Sequence, residues 1–341
     1  MNIPLRASFS RWAASATFLA GLCCFAQGQN FKYDEFDPAG ATQTVLASIN
    51  ARGDVVGIYY DLKSVQHGFY RSAGGAIFPV DPPESLGTIA SGIDGRGDIS
   101  GYYGDKSGNF RGFIRRSGGS YVSFDASSST TLTITLGMNS TGNVVGLFLD
   151  AGENEHGFLR APNGTITPID MPLAIGTVAS AISDGGQITG DYIDDKEKEH
   201  GFVRGPLGAF RPFDPPGSVQ TVPTAINRSG QIVGFYLDSG QVQHGFLRNA
   251  DGTFVSIDPT GATSTNVTAV SPDGVAVGYY LTGGGSQQNG FLRQTDGTIV
   301  SIDPPGSTQT GVFGINGNHE VVGNENSHNG VFRGFVFSDA P

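Results

Sequence analysis

Residues 244–258 read HGFLRNADGTFVSID. An apolar run, an Asp251-Gly252 turn and a second apolar run make this a β-hairpin. Near-copies recur along the chain. Aligned on an apolar residue followed by aspartate, they are Phe36-Asp37, Val80-Asp81, Phe124-Asp125, Ile169-Asp170, Phe213-Asp214, Ile257-Asp258 and Ile302-Asp303, each 44 or 45 residues from the last. A glycine that closes a short apolar run keeps nearly the same spacing: Gly57, Gly101, Gly146, Gly190, Gly234, Gly278 and Gly323. So does a Gly-Phe pair, from Gly68-Phe69 to Gly334-Phe335. Three anchors that agree on seven copies identify an internal repeat.

Each copy holds four short runs separated by turn residues. In the fifth copy these are 221–226, 231–236, 245–248 and 253–257. Such runs are the length of strands and too short for helices. Four antiparallel strands in about 44 residues are the signature of a β-propeller blade. The first run carries a small residue at one fixed place: Ser48, Gly92, Gly137, Ala181, Ala225, Ala269 and Gly314. Crowding around a central axis explains this and makes it the inner strand. The last run carries Pro79, Pro168 and Pro212, which cannot donate to a ladder, so it is the outer strand. In this phase the chain opens with a lone outer strand (31–37). It ends with three runs (311–316, 320–324, 334–337) that lack one. The expected fold is all-β: a seven-bladed β-propeller of four-stranded antiparallel blades, closed by the N-terminal strand completing the last blade. Closure removes an open seam that would otherwise promote aggregation.

Residues 1–28 read as a signal peptide. Arg6 and Arg11 form a basic region, 12–26 is apolar, and Ala26-Gln27-Gly28 offers small residues for cleavage. Residues 29–341 are then a single seven-bladed propeller domain. Cys23 and Cys24 both fall in the leader, so the mature chain has no thiol for a disulfide or a metal site. The net charge of −11 becomes −13 once Arg6 and Arg11 are removed. An acidic exported domain is a poor partner for nucleic acid or anionic lipid. A secreted or periplasmic monomer is expected, with no membrane span in the mature chain and no cofactor required by the sequence.

The recurring His-Gly-Phe, at His67, His156, His200 and His244, resembles the bacterial extracellular repeats called HAF, after His-Ala-Phe, with glycine in the middle place. The resemblance covers Phe31 to Phe337. Arg111, Asn289 and Arg333 depart from it. It implies an exported bacterial repeat protein and supplies no reaction or catalytic residue.

The histidines recur once per blade on third strands, about 10 Å outside the inner ring. At that separation they are expected to make structural hydrogen bonds rather than share a metal ion. The outer-strand aspartates, several directly before proline, read as turn chemistry. The connections between second and third strands are more informative. They begin with an aromatic residue (Tyr59, Tyr103, Phe148, Tyr192, Tyr236, Tyr280), and an acid follows at Asp61, Asp105, Asp150, Asp194 and Asp238. Beyond that the loops diverge: DLKSVQ, GDKSGN, DAGENE, DDKEKE, DSGQVQ and TGGGSQQ. Variable loops on a repeated frame are where specificity sits. Tyrosine with aspartate suits sugar hydroxyls, peptide or a hard cation. The seventh copy replaces this pattern with Asn324, Glu325, Asn326 and His328.

No nucleophile elbow, phosphate loop or zinc motif is present, and no catalytic or metal-binding residue is assigned. The expected function is binding of an extracellular glycan, peptide or protein through the variable loops of one face. An extracellular polysaccharide hydrolase or lyase is the first alternative, and a structural surface protein the second.

Overall fold

The computed structural model describes residues 31–326 and 330–339. The leader expected at 1–28 and His328 lie outside them. The described residues form strands throughout, with one 3-10 turn at Gly283–Gly285.

The strands pair in antiparallel sets of four that follow the chain. Gln43–Ile49, Val55–Tyr60, Gln66–Arg71 and Ile77–Pro79 pair in that order. The same arrangement begins again at Gly176, Ser218 and Ser264. Two further sets, beginning at Gly87 and Leu132, join into one eight-stranded sheet through a single parallel bridge between Phe110 and Leu132. In the last sheet Phe31–Phe36 lies beside Phe332–Asp339, followed by Val321–Asn326 and Gln309–Ile315. Within a set, the strands are called first to fourth in chain order, with Phe31–Phe36 in fourth place in the last.

Two close approaches explain the repeated glycines. A Cβ on the second-strand glycine would stand 1.9–2.2 Å from a first-strand carbonyl oxygen, as at Gly57 on Val45 O and Gly146 on Ile134 O. No larger residue fits there. The third-strand phenylalanines (Phe69, Phe113, Phe158, Phe202, Phe246, Phe291, Phe335) occupy the space so left, and each is at most 1% exposed. Phe69, Phe113, Phe158, Phe246 and Phe335 lie within 3.0 Å of where the missing Cβ would be.

The fixed small position of each first strand follows a β-bulge, for example between Ala90 and Gly92 and between Val312 and Gly314. A Cβ on Gly92 would meet Met138 of the next set, and one on Gly137 would meet Ala181. First strands of consecutive sets thus crowd one another at that level. The core lies between sheets. One cluster joins Val56 and Val80 to Ala90, Ile99 and Phe113 of the following set. Asparagines at the far end of the first strands also bridge sets. Asn50 donates to Asp94 O (3.0 Å), Asn139 to Ser183 O (3.0 Å), Asn227 to Ser271 O (3.0 Å) and Asn316 to Asn50 O (3.1 Å).

Phe202→Ala is expected to lower unfolding stability by about 3–5 kcal/mol, the cost of a large buried cavity. Urea titration checks it, and a loss below ~1 kcal/mol would contradict the packing described.

Candidate functional site

Antiparallel order puts two families of connection at each end of the strands. The second-to-third and fourth-to-first loops share one face. The first-to-second and third-to-fourth turns share the other.

The sequence-selected aromatics and acids form a repeated frame on the first of these faces. Tyr59 pairs across the ladder with His67, Phe148 with His156, Tyr192 with His200 and Tyr236 with His244. Their rings stack with centroids 5.0–5.2 Å apart. Each imidazole Nδ1 meets the outer-strand aspartate: Asp81 at 2.9 Å, Asp170 at 2.9 Å, Asp214 at 2.6 Å and Asp258 at 3.0 Å. Each Nε2 faces the loop aspartate: Asp61 at 3.7 Å, Asp150 at 3.3 Å, Asp194 at 3.4 Å and Asp238 at 3.5 Å. The histidine is therefore a cross-piece between two carboxylates on an aromatic platform. Burial opposes its charge at His156, but the bonds to Asp170 and Asp150 prevail and raise its pKa.

The loop acids also cap their own turns. Asp61 Oδ1 accepts from Lys63 N and Val65 N, both at 2.8 Å. Asp105, Asp150, Asp194 and Asp238 do the same two and four residues on. The amide of Val65 is the main cause of the lowered pKa of Asp61. Side-chain and backbone bonds from Asn154 lead the fall to about 2 at Asp150.

Where histidine is replaced, the frame changes. Arg111 forms a two-pronged pair with Asp125 at 3.0 and 2.8 Å, and the Tyr103 hydroxyl donates to Ser123. Tyr280 packs edge-on to Phe291, and Asn289 donates to Thr282. In the last set Glu325 takes the aromatic place, only 2% exposed. Burial, with Glu35 and Asp37 nearby, pushes its pKa up to about 7 against the pull of Arg333.

Two acids escaped the sequence reading. Glu155 and Glu199 begin third strands where Gln66, Gln243 and Gln288 stand in other sets. Burial, then repulsion from Glu199, pushes Glu155 up to about 7. Comparing EHGF with QHGF among the copies reveals the exchange.

The backbone marks this face as well. Ser64, Glu84, Glu153, Leu173, Glu197 and Gln241 hold φ between 61° and 68°, the region that favours glycine. All six belong to its loops, and all are exposed. On the opposite face the corresponding turn positions are glycines, such as Gly53, Gly75, Gly97 and Gly119, with His319 the exception among the described residues. Among the described residues no group of three or more histidines or acids is placed to hold a metal, and no helix is long and apolar enough to cross a membrane.

Repeated four-stranded antiparallel sheets, packed face to face with their first strands crowded together, define a β-propeller. Known structures agree. Catalytically inactive virginiamycin B lyase from Staphylococcus aureus, with quinupristin, is 12% identical over 91% of this chain and 100% of that one, with a TM-score of 0.61. The BP39L lectin from Burkholderia pseudomallei is 12% identical over 88% and 96%, at 0.54. The Dos1 propeller is 8% identical over 89% and 94%, at 0.53. These likenesses establish the fold. No family model and no curated protein matches the chain.

Glu155 and Glu325 both hold their protons more tightly folded than unfolded. The stability tied to them is complete below about pH 4.5 and is lost as pH rises towards 7. Thermal melts of the wild type should fall across that window, by on the order of 2 kcal/mol. The double variant Glu155→Gln, Glu325→Gln should flatten the slope. An unchanged slope would contradict the burial of these carboxyls.

Proposed function

We propose that the chain is an exported, monomeric bacterial repeat protein of the HAF type. Its seven four-stranded blades close into a ring, with residues 31–36 as the last strand, and it binds an extracellular glycan, peptide or protein. Support for seven blades comes from the eight-stranded sheet, whose halves share one bridge pair. Support for closure comes from the pairing of Phe31–Phe36 with Phe332–Asp339 and the bond from Asn316 to Asn50 O.

The observation that carries the binding reading is the six left-handed, non-glycine residues of one face. Each costs on the order of 1 kcal/mol relative to glycine in that conformation. The other face uses glycine in the equivalent geometry almost throughout, whereas this face uses it only in part, as at Gly40, Gly108, Gly217, Gly261 and Gly306. Selection for folding alone would favour glycine on both. The side chains retained at the loop tips are exposed, and four of the six are glutamate or glutamine (Glu84, Glu153, Glu197, Gln241), which suits recognition of a polar partner. The Tyr59, Tyr103, Tyr192, Tyr236 and Tyr280 set and the acids Asp61, Asp105, Asp150, Asp194 and Asp238 serve this surface by holding the loops in register. The tyrosine hydroxyls add contacts, since Phe148 stacks on His156 without one.

A second reading, polysaccharide hydrolysis or elimination, is favoured by the Glu155 and Glu199 pair. It breaks the repeat, and it keeps one carboxyl protonated near neutral pH, as a general acid requires. Turnover of a polysaccharide panel by the wild type, abolished in Glu155→Gln, would establish it. No turnover would remove it.

The binding reading is tested with the fourfold variant Ser64→Gly, Glu153→Gly, Glu197→Gly, Gln241→Gly. Its stability should equal the wild type or exceed it, by up to about 1 kcal/mol per site. Its binding on glycan arrays and in peptide pull-downs should fall. Changing Tyr59, Tyr192 and Tyr236 to phenylalanine should weaken binding with little change in stability. Full binding in both variants would overturn the loop-face reading.

A further inference from the structure

Six of the exposed large hydrophobic side chains belong to the face that bears the second-to-third and fourth-to-first loops: Leu62, Leu86, Phe110, Leu173, Ile175 and Val242. Among the described residues the opposite face shows Leu207 alone, between Pro206 and Gly208. The apolar character is densest in the connection from the third set to the fourth, residues 171–175, which reads MPLAI. Every other fourth-to-first connection carries serine, threonine or glutamate, as in PPESL at 82–86, PPGSV at 215–219 and PPGST at 304–308.

Leu173 stands at the tip, 97% exposed, with φ at 68°. The matching positions in four other connections are glycines of positive φ: Gly40, Gly217, Gly261 and Gly306. A leucine in the left-handed region is disfavoured, and its contact with water adds a second cost. Ile175 is 46% exposed beside it, and Pro172 is exposed as well. Exposure alone does not mark a site, since Leu207 is fully exposed on the other face. At Leu173 exposure coincides with a conformation that glycine holds more easily.

The tip is held between two acidic loops. Ala174 N donates to Met171 O at 3.1 Å and closes the turn. Ile175 N donates to Ile193 O at 2.9 Å, next to Asp194 at the start of one loop. A Cβ on Gly176 would stand 3.7 Å from the Glu155 side chain, at the end of the other. His156 ties Asp150 of that second loop to Asp170, which directly precedes the tip. The exposed charges on the two flanks are Glu153, Asp170, Asp195 and Glu197, with Lys196 the one exposed cation among these described residues. The tip projects from the surface, so what covers it must bring its own apolar stripe.

We propose that the 171–175 tip docks a cationic amphipathic helix of a protein partner. The apolar stripe of that helix covers Leu173 and Ile175. Lysines or arginines along its two edges meet Glu153 and Asp170 on one side and Asp195 and Glu197 on the other. A helix whose apolar stripe is bordered by cations has the complementary layout, and such helices dock through aliphatic anchors. A glycan is disfavoured here, because 171–175 holds no aromatic ring for a sugar to lie against. The acids oppose an anionic membrane. The proposal rests on the loop-face reading and narrows the partner to a basic protein segment.

The test uses the full chain and three synthetic peptides, read by fluorescence anisotropy. One is an amphipathic helix of leucine and lysine, the second has glutamate for lysine, and the third has serine for leucine. The leucine–lysine peptide should bind, less tightly as salt rises, and each control should bind about tenfold more weakly or worse. Leu173→Gly with Ile175→Thr restores the composition of the other connections. It should weaken binding about tenfold while melting at or above the wild-type temperature. Glu153→Gln, Asp195→Asn and Glu197→Gln together should weaken it to a similar degree. Asp184→Asn, Asp251→Asn and Asp296→Asn remove the same charge from the opposite face and should leave binding unchanged. Undiminished binding in the tip variant, equal loss in the opposite-face control, or equal binding of the glutamate peptide would overturn the proposal. So would sedimentation with phosphatidylcholine vesicles that depends on Leu173, which would assign the tip to a membrane. Failure of the leucine–lysine peptide to bind, with glycan or peptide binding still lost in the fourfold glycine variant, would overturn this proposal and leave the loop-face reading intact.

Discussion

The structure depends on one close approach, that of the second-strand glycine to the first-strand carbonyl beside it. At Gly57, Gly101, Gly146, Gly190, Gly234, Gly278 and Gly323 a side chain would collide with backbone 1.9–2.2 Å away. Backbone cannot move aside as a flexible side chain can. The absence of Cβ lets the third-strand phenylalanine lie flat over the ladder, where it is fully buried. That ring fills the space between consecutive sheets, so spacing within a sheet and packing between sheets are set by the same pair of residues. The Gly-Phe anchor and the lone glycine about ten residues before it are two halves of one contact.

Around this contact most repeated polar groups are used internally. The histidine bonds both its outer-strand aspartate and its loop aspartate and stacks on the second-strand aromatic. The end of the fourth strand is tied to the next first strand by bonds such as Thr221 to Asp214 at 2.6 Å. A residue conserved among the copies is therefore a poor guide to what this chain recognises. The departures are better guides: Glu155 and Glu199 in place of glutamine, and non-glycine residues where the backbone favours glycine. All lie on one face.

Much of the fold was legible in the sequence because its determinants are local. Turn glycines, strand-length runs and the Gly-Phe pair recur at fixed offsets. Strand limits were less legible. The second strand of the last set was expected at 320–324 and spans Val321–Asn326, because pairing continues past the glycine anchor. The fifth first strand was expected at 221–226 and spans Ser218–Ile226, carried outward by an added bulge at Ser218–Gln220. The site was only partly legible. The Tyr and Asp positions stand out from spacing, but their stacking on histidine depends on cross-strand register. The left-handed turns at Ser64, Glu153, Glu197 and Gln241 carry no glycine to announce them.

The claim that the chain closes on itself is tested most directly by native-state hydrogen exchange of the amides in Phe31–Phe36. As the last strand of a closed ring they should be protected to nearly the same free energy as those of Val321–Asn326 in the same sheet. Exchange at the rate of a frayed terminus, with Val321–Asn326 still protected, would contradict closure.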